Sequence, residues 1–343
     1  MSNYPDTKKH NTLPKVLRYR AETIPTTIAL RDKDLGIWNE ITWKEYHEIV
    51  SYLALGLAKR GFKLGDVIGL IGDNKPSWLF FELAAQAAGG MSLGIYRDTL
   101  DDEVGYLIQA AKVNFAFAED QEQVDKLLTI KRAKNNKITI FYEDSRGLKE
   151  LNDPHIIDMV QLINEGKAIA AKNQNSYNKL IDSIHADQNA ILCTTSGTTS
   201  NPKLAMLPGG KFIEHVVRYL NVDPKTIEDE YVSVLPFPWI MEQTYAVGFN
   251  IIGGMKVNFP ERPETAMEDM REIGPTFMLG APRLWEQIAA DMRSRILDAP
   301  KITQWLFNVM LKRGLKAVDE GKRDFLADKL LFSSLKDRLG FSK

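Results

Sequence analysis

The chain has 343 residues, of which 44% are hydrophobic and 26% are charged. This composition excludes a disordered protein, because enough apolar side chains are present to form a core. Its 44 lysines and arginines nearly balance its 45 aspartates and glutamates, so a broad basic surface for nucleic acid is not expected. A length above about 250–300 residues predicts two domains, or one large domain with substructure.

A cytoplasmic location is expected for this chain. Its one cysteine, Cys193, cannot form an internal disulfide, and no cluster of cysteine and histidine has the spacing of a structural zinc site. Residues 1–11 lack the apolar core of a secretory signal. The most apolar stretch, residues 77–95, is interrupted by Glu82 and Gly89, so it does not predict a membrane span.

The first half of the chain alternates between helical and strand patterns. Thr42 and Glu45 form a capping box that predicts a helix to about Arg60. Pro76 at a first helical position predicts another helix, which Gly89 ends. Further elements are predicted as strands over 67–72, 91–96, 114–118 and 137–142 and as helices over 101–112 and 121–133. This alternation predicts a parallel sheet that is covered on both faces.

The second half follows a polar segment, residues 147–174, which is expected to be a surface connection or a lobe boundary. The predicted strands are 190–194, 231–235, 255–258 and 275–279, and the predicted helices are 211–220, 240–252 and 263–274. Residues 283–339 are predicted to be helical. The sequence therefore predicts an α/β fold in two parts, residues 1–185 and 186–343.

A hydroxyl-rich segment follows the predicted strand at residues 190–194. Its candidate phosphate-binding residues are Thr195, Ser196, Gly197, Thr198, Thr199, Ser200, Asn201 and Lys203. Backbone N–H groups near a glycine can bind anions, hydroxyls can donate hydrogen bonds, and a lysine supplies positive charge. The segment is not a P-loop, because Gly210 and Lys211 are followed by Phe212. The alternative interpretation is a polar surface loop.

This segment resembles the phosphate-binding signature of the AMP-forming acyl-CoA synthetase and adenylate-forming enzyme family. Other segments that resemble the family, in the same order, are 42–43, 65–67, 72–74 and 94–96, and those that resemble its long-chain fatty acyl branch are 235–239, 242–243 and 280–286. The resemblance covers about residues 13–339. It implies the family's large domain, with two stacked subdomains built on mixed or parallel sheets.

The resemblance also implies a reaction. A fatty acid carboxylate attacks the α-phosphate of ATP, pyrophosphate leaves, and the CoA thiol then attacks the mixed anhydride. Both nucleophiles come from substrates, which agrees with the lack of a nucleophilic dyad or triad pattern in the sequence. The implied cofactors are ATP, CoA and Mg²⁺, with Thr198 as the metal contact. The residues assigned by resemblance to the acyl site are Trp239, Glu242, Tyr245 and Gly280.

Some of these assignments have structural alternatives. Trp239 and Tyr245 are equally well interpreted as core residues, whereas Glu242 among apolar neighbours needs a polar partner if it is buried. Ser200 and Leu204 stand where the family commonly has glycine. A side chain at either position costs on the order of 1 kcal/mol or more if the backbone φ is positive.

The family's adenine-binding segment, ribose-binding aspartate, hinge and catalytic Lys and Glu are not found in this sequence. The chain is therefore expected to be the N-terminal portion of a ligase, truncated before the small C-terminal domain, and to form no acyl-CoA alone. The alternative is a non-catalytic acyl or nucleotide-binding module, or a subunit that a separate C-terminal polypeptide completes. A dinucleotide-dependent dehydrogenase is disfavoured, because no G-x-G-x-x-G motif follows a strand.

A predicted helix near residue 310 suggests a further partner. Its apolar stripe consists of Trp305, Leu306, Val309, Met310 and Leu315. Lys312, Arg313 and Lys316 lie beside the stripe. Such a helix is expected either to pack on its own domain or to lie on an anionic membrane, which would place the protein peripherally at the inner face of that membrane.

Overall fold

The computed structural model describes residues 4–134, 137–149, 153–195, 202–280 and 282–341. The described residues form two compact units. The first lies within Met1–Glu228 and Ser233–Phe259, and the second within Asp229–Val232 and Pro260–Lys343. Helices and strands alternate along the chain, which confirms the predicted α/β class.

The strands of the described residues are β1 Ile28–Asp34, β2 Ile37–Thr42, β3 Val67–Ile71, β4 Met91–Ile95, β5 Phe115–Ala118, β6 Thr139–Tyr142, β7 Ile156–Asp158, β8 Asn189–Thr195, β9 Lys203–Pro208, β10 Glu230–Val232 and β11 Lys256–Phe259. The α-helices are α1 Leu13–Thr23, α2 Trp43–Lys59, α3 Pro76–Ala87, α4 Asp101–Ala110, α5 Gln121–Lys134, α6 Met159–Lys172, α7 Ser176–Asp182, α8 Gly209–Val222, α9 Ile240–Glu242, α10 Ala266–Ile273, α11 Pro282–Leu297, α12 Lys301–Asp319, α13 Phe325–Ala327 and α14 Ser333–Arg338. Helix α9 continues as a π-helix over Gln243–Gly253, a 3₁₀ turn spans Pro263–Thr265, and a second π segment spans Asp328–Phe332.

A seven-stranded sheet in the order β7-β6-β5-β3-β4-β8-β9 is the centre of the first unit. The strands from β7 to β8 are parallel to their neighbours, and only β9 runs antiparallel, to β8. Val67 and Ile71 of β3 pack with residues of α4 and α5. Phe117 of β5 faces the other way and stacks on Phe81 of α3, with ring centroids 4.5 Å apart. Helices therefore cover both faces, as the alternating pattern predicted.

A second sheet places β1 between β2 and β11. Strand β1 is antiparallel to β2 and parallel to β11. In the second unit, the region predicted as a strand at 275–279 forms a single parallel bridge, between Tyr231 and Phe277. That strand prediction was wrong in extent, because the apolar run finds a pairing partner at one position only.

The largest correction concerns residues 147–174, which were expected to form a connection. They contain strand β7 and helix α6, and α6 packs directly on α2. Both helices use glycine at the contact. A Cβ atom on Gly166 would lie 1.8 Å from the carbonyl oxygen of Tyr52, and one on Gly56 would lie 2.7 Å from that of Leu162. Such a backbone contact cannot be read from hydrophobic periodicity alone.

The predicted division at residue 185 remains a prediction. Strands β8 and β9, which that division assigns to the second part, join β4 in the same sheet as β3, β5, β6 and β7. The hairpin of β1 and β2, helix α1 and strand β9 were not predicted. No helix within the described residues is both long enough and apolar enough to cross a membrane.

We predict that Gly166→Ala lowers the free energy of unfolding by about 1–3 kcal/mol, because the added methyl group forces α6 away from α2. Urea denaturation measures the change. Asn164→Ala is the matched control, since Asn164 is exposed on the same helix and alanine favours helix at both positions. Equal stability of the Gly166→Ala protein and the parent would contradict the close contact.

Candidate functional site

The candidate site lies at the carboxyl edge of the seven-stranded sheet. The chain passes from β3 to β4 on one side and then returns to β5 on the other side of β3. Helices α3 and α4 therefore leave neighbouring strands toward opposite faces, which makes the ends of β3 and β4 a topological switch point. Ligands of open α/β sheets bind outside the carboxyl ends of the strands at such a point. Asn74, Tyr96 and Thr195 follow or end β3, β4 and β8 at this edge.

Two of the eight predicted phosphate-binding residues are described. Thr195 ends β8 and Lys203 begins β9, and the two are opposite each other in the antiparallel pair. The Thr195 hydroxyl donates to the Lys203 carbonyl oxygen at 3.4 Å. Both residues are exposed. Residues 196–201, including the proposed metal contact Thr198, lie outside the described residues.

Leu204 does not have the strained backbone that a substituted glycine position would imply. It lies in the extended strand β9 opposite Thr194, and its side chain packs on the core of the sheet. Among the described residues, positive φ at a non-glycine position occurs at Leu35 and Lys112. Leu204 therefore contributes apolar contact at no conformational cost, whereas Ser200 lies outside the described residues.

The segment after β10 is held against the end of β3 by Asn74. Its side-chain amide donates to the Leu235 carbonyl oxygen at 2.6 Å and to the Ser233 hydroxyl oxygen at 2.8 Å. The Ser233 hydroxyl in turn donates to the Glu242 carboxylate. Glu242 is fully buried, so the polar partner that its sequence context required is present.

The same segment lies close to the end of β4. A Cβ atom on Gly94 would lie 2.8 Å from the Cα atom of Pro238, so glycine is needed for this approach. Phe237 stacks on Trp78 of α3 with ring centroids 5.4 Å apart. Trp239 follows with 38% of its surface exposed, which makes it an apolar side chain available to a ligand near this edge.

Tyr245 is buried in the first turn of the π-helix. Its hydroxyl donates to the Tyr219 hydroxyl at 3.2 Å, and burial raises the pKa of Tyr245. All residues of the π-helix are buried, and π-helical segments occur frequently at functional sites. Gly280 belongs to the second unit, where its carbonyl oxygen accepts from the Trp285 indole nitrogen at 3.1 Å. The first unit contains Trp239, Glu242 and Tyr245, and the second unit contains Gly280.

Sequence reasoning missed the role of Glu82, which it treated only as an interruption of an apolar stretch. Glu82 lies on α3 and is fully buried. Its two carboxylate oxygens accept from the side-chain amides of Gln86 at 3.2 Å and Gln243 at 3.1 Å. The Gln243 amide also donates to the Phe237 carbonyl oxygen at 3.0 Å. A charged residue in an otherwise apolar helix was the signal that could have revealed this network.

Burial raises the pKa of two carboxylic acids in this part of the first unit. It raises the pKa of Glu82 to about 7 and that of Glu119, whose carboxylate accepts from the Asp73 backbone N–H, to about 7. Arg97 forms an ion pair with Asp73.

Cys193 in β8 is buried, and burial raises its pKa to about 11, which agrees with an unreactive thiol. Within the part of the chain that the structure describes, no cluster of three His, Cys, Asp or Glu side chains could hold a metal ion.

Comparison with known proteins gives consistent matches. The family model described as AMP-binding enzyme matches residues 17–319. The chain is 28% identical over 331 residues to the long-chain-fatty-acid–CoA ligase ACSBG1 of Rattus norvegicus, which covers 92% of this chain and 45% of that protein. It is 26% identical over 347 residues to the long-chain-fatty-acid–CoA ligase ACSBG2 of the same organism, and this match covers 96% of this chain and 51% of that protein. The chain thus spans about half the length of the curated relatives that it matches.

Solved structures agree in fold. The adenylation domain of a carboxylate reductase from Mycobacterium chelonae superposes with a TM-score of 0.72 at 16% identity, covering 91% of this chain and 54% of that one. A fatty acyl-adenylate ligase from L. pneumophila, solved with acyl adenylate and pyrophosphate, gives a TM-score of 0.60 at 18% identity, covering 77% and 43%. At these identities the similarity establishes the fold alone.

We predict that Glu82→Gln changes the pH dependence of stability. The folded protein retains the Glu82 proton up to about pH 7, whereas the unfolded chain releases it near its ordinary pKa of 4.5. The free energy of unfolding therefore falls as pH rises through this interval. The glutamine variant has no carboxyl group to ionise at this position, so its free energy of unfolding does not fall in this way. We expect it to equal that of the parent at pH 4 and to exceed it at pH 8 by up to about 3 kcal/mol.

Urea titrations at both pH values measure this difference. Glu228→Gln, at an exposed position, is the control and should give the same pH dependence as the parent. A constant difference in unfolding free energy between Glu82→Gln and the parent at both pH values would show that Glu82 has the same pKa in the folded and unfolded protein, and would contradict the raised pKa.

Proposed function

Because this chain belongs to the AMP-binding enzyme family, we propose that it takes part in the ATP-dependent activation of a long-chain fatty acid. The curated relatives that support the proposal are named long-chain-fatty-acid–CoA ligases. The observation that carries it is the position of Thr195 and Lys203, which flank the hydroxyl-rich segment in the sequence. Thr195 ends β8 and Lys203 begins β9 at the carboxyl edge of the sheet, and β8 adjoins β4, one of the two strands at the switch point.

In the proposed first step, the fatty acid carboxylate attacks the α-phosphate of ATP and pyrophosphate leaves. An acyl-adenylate forms, and the substrate itself supplies the nucleophile. The protein then has two tasks, which are to align the reacting groups and to neutralise the charge that develops on the leaving pyrophosphate. We assign the second task to the Lys203 ammonium, the hydroxyls among residues 195–200 and the Asn201 side chain. Thr198 would help to hold the Mg²⁺ that accompanies ATP, and this ion would neutralise phosphate charge.

We assign the acyl chain to the surface near Trp239 and the π-helix. Trp239 is partly exposed beside Pro238 and the end of β4, so it can contact an apolar chain. Glu242 and Tyr245 are themselves buried, and they support this surface through side-chain hydrogen bonds to Ser233 and Tyr219. The assignment of Gly280, which lies in the second unit, rests on the family resemblance alone. In the proposed second step, the CoA thiol attacks the acyl-adenylate, the acyl group is transferred to sulfur and AMP leaves.

The second candidate is a non-catalytic acyl or nucleotide-binding module, or a subunit that a separate C-terminal polypeptide completes. The ligase and the nucleotide-binding form of the second candidate predict ATP binding at the same residues. They differ in whether the chain alone forms an adenylate.

We predict that Lys203→Ala weakens ATP binding by about 10- to 100-fold, the loss expected for a hydrogen bond between a cation and phosphate. Isothermal titration of the full chain with MgATP measures the affinity. Lys211→Ala is the matched control, because Lys211 is an exposed lysine that pairs with Glu214 at the start of α8, after the far end of β9. Equal affinities of the two variants would contradict the assignment of Lys203.

The two candidates are separated by exchange of labelled pyrophosphate into ATP. Exchange that requires palmitate indicates adenylate formation and supports the ligase. ATP binding without exchange supports the module or subunit. If the parent chain binds neither ATP, pyrophosphate nor palmitate, both candidates are wrong.

A further inference from the structure

The corner between helices α11 and α12 exposes three large apolar side chains. Leu297 ends α11 and is 73% exposed, and Ile302 and Trp305 in the first turns of α12 are 80% and 65% exposed. Ile302 and Trp305 are three residues apart, so they lie on one face of the helix. Burying a tryptophan, an isoleucine and a leucine is favourable, and their joint exposure on one corner therefore indicates a binding surface.

The core of the second unit does not use this face. Helix α12 packs through Phe307 and Met310, which are buried against Ala327 and Leu331. The apolar stripe predicted from the sequence is thus divided between two faces. Met310 belongs to the core of the unit, whereas Trp305 and Ile302 face solvent.

The corner is held in a fixed conformation. The side-chain amide of Gln304 donates to the carbonyl oxygens of Leu297 at 2.9 Å and Ala299 at 2.8 Å. Its backbone N–H donates to the Pro300 carbonyl oxygen at 3.1 Å. Because these bonds already order the turn, docking the corner would cost little conformational entropy.

The charge around the corner is strongly positive. Residues 293–316 contain six basic residues and one acidic residue, a net charge of +5, in a chain whose net charge is −1. The basic residues are Arg293, Arg295, Lys301, Lys312, Arg313 and Lys316. Arg313 pairs with Asp324, whereas Lys301, Lys312 and Lys316 form no ion pair with a described residue. Lys312 and Lys316 continue the helix face that carries Ile302 and Trp305, at spacings of seven and eleven residues from Trp305.

We propose that the α11–α12 corner, residues 293–316, is a docking surface for an anionic membrane. Tryptophan is favoured at the membrane interface, where its indole spans apolar and polar layers. In the docked state Leu297, Ile302 and Trp305 enter the outer acyl layer, and the lysines contact lipid phosphates. The exposed tryptophan and aliphatic side chains favour a lipid surface over nucleic acid, which offers no apolar layer to receive Leu297 and Ile302. The proposal does not depend on ATP or fatty acid binding.

The test is sedimentation of the full chain with vesicles of phosphatidylcholine, with or without about 30 mol% phosphatidylglycerol. The expected result is at least about tenfold stronger partitioning to the anionic vesicles, lost at high salt. Trp305→Ser should lower that partitioning by about fivefold or more. Val222→Ser is the matched control, because Val222 is 85% exposed in the first unit, and it should partition like the parent.

A second measurement places Trp305 in the bilayer. Brominated lipids should quench part of the tryptophan emission of the parent, and Trp305→Phe should remove that quenching while it retains binding. Equal partitioning to both vesicle types, or an equal loss in Trp305→Ser and Val222→Ser, would overturn the proposal. So would self-association or binding to a nucleic acid that Trp305→Ser abolishes in the absence of vesicle binding.

Discussion

Two hydrogen bonds from the side-chain amide of Asn74 hold the candidate site together. They join the end of β3 to Ser233 and Leu235, residues about 160 positions further along the chain. Because the Ser233 hydroxyl also donates to the buried carboxylate of Glu242, loss of the amide would leave polar groups in a region from which water is excluded. Unpaired polar groups in such a region are costly, so this contact fixes the segment at the sheet edge.

The second constraint on that segment is a buried carboxyl group. Glu82 lies on α3 and Gln243 on the π-helix, and the hydrogen bond between their side chains, at 3.1 Å, connects the two helices. The same Gln243 amide also donates to the Phe237 carbonyl oxygen. Burial favours the neutral form of Glu82 and raises its pKa to about 7. The backbone of residues 237–239 is thus positioned by polar contacts as well as by the stacking of Phe237 on Trp78. Networks of this kind specify one conformation when their members are satisfied.

The hydrogen bonds of Asn74 and Glu82 fix the segment after β10 at the carboxyl edge of the sheet, where the candidate site lies. Fold alone does not determine a function, and the assignment to fatty acid activation therefore relies on what lies at the carboxyl edge. There the hairpin of β8 and β9 presents Thr195 and Lys203, and the segment after β10 presents Trp239. The second unit has a different character. It combines a small core with an exposed, basic and apolar corner, so substrate chemistry and surface attachment are proposed for separate parts of the chain.

The sequence alone determined the local elements of this protein. The capping box of Thr42 and Glu45 and the proline at position 76 set helix starts that the structure confirms. The alternation of strand and helix patterns predicted that the first strands form a parallel sheet, and the motifs predicted the family. These signals are local, because capping, periodicity and turn chemistry act within a few residues.

Only the tertiary structure decided the contacts between distant residues. It placed α6 on α2 through Gly56 and Gly166, gave β9 an antiparallel direction and packed the partly buried Leu204 against the core of the sheet. It also paired Glu82 with Gln243, residues separated by 161 positions. A sequence shows that a buried glutamate needs a partner, but which partner it finds depends on how the chain brings separate elements together.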